Sequence, residues 1–183
     1  MMNSLYMAGR ALGKAVPSVW NGKDASALVR EAAAAVTRSG DASLAAVVPE
    51  MRSFPPLASR TQDAALVAIV QHLRDDRLHS RPNAGYHAFC IGHLLGELEA
   101  GLLDEGTKLV DSKKRERYAP LLPQALQHVV TLRDSYGVRA LGPFEVDLKA
   151  IGNGLATAKR GADLKAVGSL VQTCSSKIGN AIP

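Results

Sequence analysis

The chain has 183 residues and a mass of 19.3 kDa, with 46% hydrophobic and 21% charged residues. These are ordinary proportions for a globular protein and exclude wholesale disorder. No apolar run approaches the roughly 18–20 residues that a membrane span needs. Two cysteines, Cys90 and Cys174, are too few for a disulfide scaffold. The length predicts a single soluble helical domain over 1–183. The formal charge of +5 is split into +3 over residues 1–60, −3 over 61–110 and +5 over 111–183. Such a basic–acidic–basic pattern admits nucleic acid, an acidic protein or an anionic membrane as partner. An aromatic content of 4% is thin for stacking single-stranded bases.

The first 23 residues hold Arg10, Lys14 and Lys23 and no acid. Arg10 and Lys14 interrupt the apolar stretch that a secretory signal requires, so the segment reads as a first helix, Ser4 to about Val16, stopped at Pro17. The default compartment is the bacterial cytoplasm, with export lacking a readable signal left open. Asp24 suits the start of a helix reaching Ser39, where Gly40 supplies a left-handed stop. Asp41 opens the next, with Leu44, Val47, Val48 and Met51 at helical spacing and Pro49 shortening or kinking it. Ser53-Phe54-Pro55-Pro56 is a break. Ser59-Arg60-Thr61-Gln62 has capping-box spacing, and Leu66, Ile69, Val70 and Leu73 extend an apolar stripe to about His79.

Arg81-Pro82-Asn83 predicts a turn before a long helix over 84–103. Gly92, Gly96 and Gly101 each cost that helix about 1 kcal/mol against Ala, a loss that close contact with a neighbouring helix offsets. It is expected to be central. Residues 104–118 are polar and contain at most one short helix. Pro120 or Pro123 opens another to about Tyr136, ended by Gly137. Val138–Leu141 is the single stretch with extended character. Pro143 then precedes a helix carrying Phe144, Leu148, Ile151 and Leu155, and the last helix covers about Ala162 to Ile178.

Seven to nine helices and no strand pair define an all-α fold, a compact multi-helix bundle with some solenoid character. The expected core is Leu66, Ile69, Val70, Leu73, Phe89, Cys90, Leu94, Leu98, Leu126, Val129, Val130, Leu148, Ile151, Val167 and Leu170. Asp147-Leu148-Lys149-Ala150-Ile151-Gly152 recurs sixteen residues later as Asp163-Leu164-Lys165-Ala166-Val167-Gly168. A structural origin would pair the two helices antiparallel with Gly152 facing Gly168.

Three functional readings follow. The leading one is a non-enzymatic helical protein–protein interaction module, self-association included, of the kind found among bacterial effectors and accessory proteins. It rests on abundant helix and the lack of any convergent polar set. A second assigns Lys113, Lys114, Arg115 and Arg117 to phosphates of nucleic acid or anionic lipid, against the plainer reading of a solvated, ion-paired face. A third places a metal-dependent or cysteine enzyme on the 66–79 and 84–103 helices, through His72, Asp76, His79, His93 and Glu97, or through Cys90. HExxH, GxSxG and phosphate-loop motifs are absent. No cofactor, metal ligand or catalytic residue is assigned.

Overall fold

The structure, a computed structural model, describes residues 1–56, 60–79, 83–104 and 111–183. It is an all-α bundle. In chain order the helices are α1 (Met2–Trp20), α2 (Ser26–Ser39), α3 (Val48–Arg52), α4 (Arg60–Leu73), α5 (Ala84–Leu103), α6 (Asp111–Tyr118), α7 (Leu121–Asp134), α8 (Phe144–Thr157) and α9 (Gly161–Ala181). Single 3-10 turns cover Ala42–Val47, Asp76–Leu78 and Arg139–Leu141. No helix is long and apolar enough to cross a membrane among the described residues.

Helices α1 and α5 form the spine, and glycine makes their contact possible. A Cβ at Gly13 would lie 2.7 Å from Glu97 N, and one at Gly9 would lie 2.9 Å from His93 N. Gly92 and Gly96 stand in the same relation to the backbone of Tyr6 and Arg10. Each helix carries two glycines four apart, and the pairs interlock so that main chain meets main chain, as small-xxx-small motifs permit. On one flank of this spine Leu12, Val29, Leu44, Met51, Ile69 and Phe89 form a hydrophobic cluster with α2, α3 and α4. On the other, Ile91, Leu98, Leu132, Leu148, Val167 and Ile178 form a second with α7, α8 and α9.

Local signals fix several boundaries. Asp24 Oδ1 accepts from Ser26 N at 2.9 Å at the start of α2, and Gly40 ends that helix at φ 68°. Asp41 Oδ1 accepts from Ser43 N, and Pro49 splits the following segment into a 3-10 turn and a short α3 that it helps to open. Gly137, at φ 75°, follows α7, and Pro143 precedes α8.

Other expectations are corrected. Pro17 lies inside α1 rather than ending it. Proline lacks the N–H of one intrahelical hydrogen bond, but the last turn still closes over it, with Asn21 N donating to the Pro17 carbonyl at 3.0 Å and the Arg117 guanidinium 3.2 Å above the Trp20 ring. Helix α4 ends at Leu73, short of His79, because Asp75 accepts from Arg77 N and starts a separate turn. The stretch Val138–Leu141 is not an extended segment: Val138 leads into a 3-10 turn over Arg139–Leu141. Gly152 and Gly168 do not face each other: a Cβ at Gly168 would meet Leu102 and Leu103, whereas the neighbour of Gly152 is Leu122. Of the expected core, Val70, Leu126 and Val130 are partly buried, and Leu170 is 58% exposed. Ser59 of the expected capping box and Arg81-Pro82 of the expected turn lie outside the described residues.

Candidate functional site

The 66–79 and 84–103 segments share a hydrophobic cluster, but among the described residues their His, Asp and Glu side chains do not gather as the sequence spacing suggests. His79 is buried and its Nε2 donates to the Leu73 carbonyl at 2.6 Å, while its Nδ1 has no hydrogen-bond partner. Its ring packs edge-on to Tyr86 at 5.6 Å and against Phe89 at 6.3 Å. His93 is 4% exposed and stacks on Phe89 at 6.1 Å, with neither ring nitrogen hydrogen-bonded. Burial, reinforced by the Arg74 charge, pushes it down to about 3, so the ring is neutral at pH 7. One turn on, burial raises the Glu97 carboxyl against the pull of Arg117 and Arg74. Cys90 is fully buried and its thiol is raised by burial, with Tyr86 and the Arg74 charge opposing. That is the environment of an inert packing thiol. Asp76 is exposed and His72 partly so. Among the described residues no group of three or more His, Cys, Asp or Glu is placed to hold a metal ion.

A pair that the spacing does not single out lies beside this set. His87 in the first turn of α5 and His128 in α7 bring their Nδ1 atoms to 2.9 Å. Tyr86 packs edge-on to both rings, and Tyr136 lies against His87. Burial lowers His87, with Asp76 opposing, and burial with His87 and Arg74 pushes His128 down to about 4. The two residues are 41 apart in the chain, so no local pattern could have joined them.

The basic residues of α6 disperse to separate partners. Lys113 pairs with Glu116 at 2.8 Å. Lys114 is 9% exposed and donates to the Asp104 carbonyl at 3.0 Å. Arg115 donates to the Ala158 carbonyl, and Arg117 covers Trp20. Lys114, Arg115 and Arg117 thereby tie α6 to the ends of α5, α8 and α1. Arg10 and Lys14, which give the N-terminal segment its positive character, converge on buried Glu99 at 3.0 and 3.1 Å.

An unfilled groove lies between α8 and α9. A groove of about 250 Å³ is lined by Asp147, Ala150, Ile151, Leu170, Cys174 and Lys177. Val146, one turn before Ala150 on α8, is 70% exposed and Leu170 on α9 is 58% exposed. Asp147 and Lys177 form no ion pair among the described residues, although both charges act on the Cys174 thiol between them. Its pKa is raised to about 11, chiefly by burial.

No protein-family model, no curated protein and no solved structure matches this chain.

Proposed function

We propose that the chain is a non-enzymatic helical protein–protein interaction module that binds a second copy of itself through the α8–α9 groove. The observation that carries this reading is the exposure of Leu170 and Val146 beside an apolar groove rimmed by two unlike charges. In a two-fold contact the same patch faces itself, so residue i meets j and j meets i. Asp147 of each copy then approaches Lys177 of the other, while Leu170 fills the facing groove. Burying one leucine side chain contributes about 1.5–3 kcal/mol. With a patch this small the dimer is reversible and of micromolar affinity or weaker.

Sedimentation velocity over a concentration series tests the reading. The wild-type chain is expected to shift from monomer toward dimer as concentration rises. Leu170→Glu and Asp147→Lys are each expected to stay monomeric, and the exchange Asp147→Lys with Lys177→Asp to recover association. A wild-type chain that is monomeric throughout removes self-association, and a dimer indifferent to all these changes moves the interface elsewhere. Phosphate or anionic-lipid recognition through Lys113, Lys114, Arg115 and Arg117 has less support, because each cation already has a partner within the chain.

A further inference from the structure

We infer that His87 and His128 form a two-imidazole site for a borderline divalent transition-metal ion, copper(II) before nickel(II) and zinc. Their Nδ1 atoms face each other at 2.9 Å from two different helices. An ion bonded to both at about 2.0–2.1 Å would see them at about 90°, the angle of the tetragonal and square-planar geometries that copper(II) and nickel(II) favour. The ring centroids are 5.2 Å apart and the planes are inclined by 53°. The rings therefore converge through nitrogen rather than stacking face to face. Tyr86, at 5.2 Å from His87 and 5.9 Å from His128, and Tyr136, at 5.4 Å from His87, brace this orientation.

Both rings are only partly buried, which leaves the outer coordination positions to water. No third His, Cys, Asp or Glu completes the site among the described residues. Two rings then supply the protein's share of the ligands, and affinity follows the metal's preference for imidazole. The surrounding charges act in opposite senses: Asp76 acts on His87 in favour of a cation, and Arg74 acts on His128 against one. In the metal-free pair one proton bridges the Nδ1 atoms. Binding moves that proton to Nε2 of the same ring, a tautomer change that leaves both imidazoles neutral. This inference does not depend on self-association, since the pair lies on α5 and α7 and the groove on α8 and α9.

The experiment is calorimetric titration of the full chain at pH 7.5 with copper(II) chloride, nickel(II) chloride and magnesium chloride, with electron paramagnetic resonance on the copper sample. One equivalent of copper is expected to bind, nickel to bind more weakly and magnesium not at all. The copper spectrum is expected to show coupling to two imidazole nitrogens. His87→Ala and His128→Ala should each abolish saturable binding while His72→Ala leaves it unchanged, with circular dichroism confirming that each variant is folded. Absence of saturable copper binding by the wild-type chain overturns the assignment, and so does binding that survives both variants. Where a variant fails to fold, the wild-type spectrum alone decides: without two imidazole couplings the site is not this pair.

Discussion

His93 is buried and stacks on Phe89 with both ring nitrogens unpartnered, and a neutral ring is the form the site tolerates. Its folded-state pKa of about 3 lies below the roughly 6.5 of a free histidine, so the unfolded chain takes up a proton that the native chain refuses. The sign follows: the contribution is intact above pH 6.5 and is lost as pH falls toward 3. The slope is about 1.4 kcal/mol per pH unit, so moving from pH 7 to pH 5 should cost this group about 2 kcal/mol. Urea denaturation of wild type and His93→Phe at the two pH values checks it. The variant's loss between them is expected to be smaller than the wild type's by about 2 kcal/mol, and equal losses would mean that His93 is not the group. The sequence pattern puts His93 on an apolar face but offers it a carboxylate neighbour and an ion. What the spacing of His93 and Glu97 does not carry is the depth of burial, which depends on how closely α1 approaches.

Glycine has opposite effects on different helices, and the element scale is where this becomes testable. At Gly92 an added methyl would meet the Tyr6 carbonyl and lie 2.9 Å from Arg10 N, backbone that cannot step aside without parting α1 from α5. At Gly152 the neighbour is the end of the Leu122 side chain at 3.9 Å, an ordinary contact. Gly92→Ala is therefore expected to destabilise by about 3 kcal/mol or more, beyond the usual range for overpacking. Gly152→Ala is expected to stabilise by up to about 1 kcal/mol from helix propensity alone. Thermal melts of the two variants should move in opposite directions, and a Gly92→Ala protein melting with the wild type would refute the close spine. The cost of the glycines in 84–103 is legible in the amino-acid sequence, as is the need for a close neighbour. The matching pair Gly9 and Gly13 is not, because its significance lies in a contact with residues 80 and more positions away. Boundaries are readable where the determinant is local, as at Asp24, Gly40, Gly137 and Pro143. They are misleading at Pro17 and after Leu73, where Trp20 on Arg117 and the Asp75 turn settle the outcome. Leu170 has the spacing of a core residue, yet its helix turns that position outward, and periodicity alone does not tell a buried stripe from its edge.

For the molecule as a whole, the spine supplies side chains to both hydrophobic clusters: Leu12 and Phe89 to one, Tyr6 and Leu98 to the other. The Tyr6 hydroxyl also reaches the carbonyl of Ser175 at 2.6 Å, fastening α1 to α9. Neither cluster can therefore come apart while its share of α1 and α5 stays in place, and the described helices should unfold as one cooperative unit. Two truncations probe this from opposite flanks, since Leu44 and Leu132 are both fully buried, one in each cluster. Leu44→Ala and Leu132→Ala are each expected to cost about 2–5 kcal/mol. In both proteins the loss of helical ellipticity and the change in Trp20 fluorescence should follow a single transition. Trp20 is a suitable reporter because it is the sole tryptophan and joins the end of α1 to α6 through Arg117. Were Leu44→Ala to melt part of the ellipticity early while Leu132→Ala left that part untouched, the two clusters would be separately stable, and the glycine contact would be a joint between them rather than a shared core.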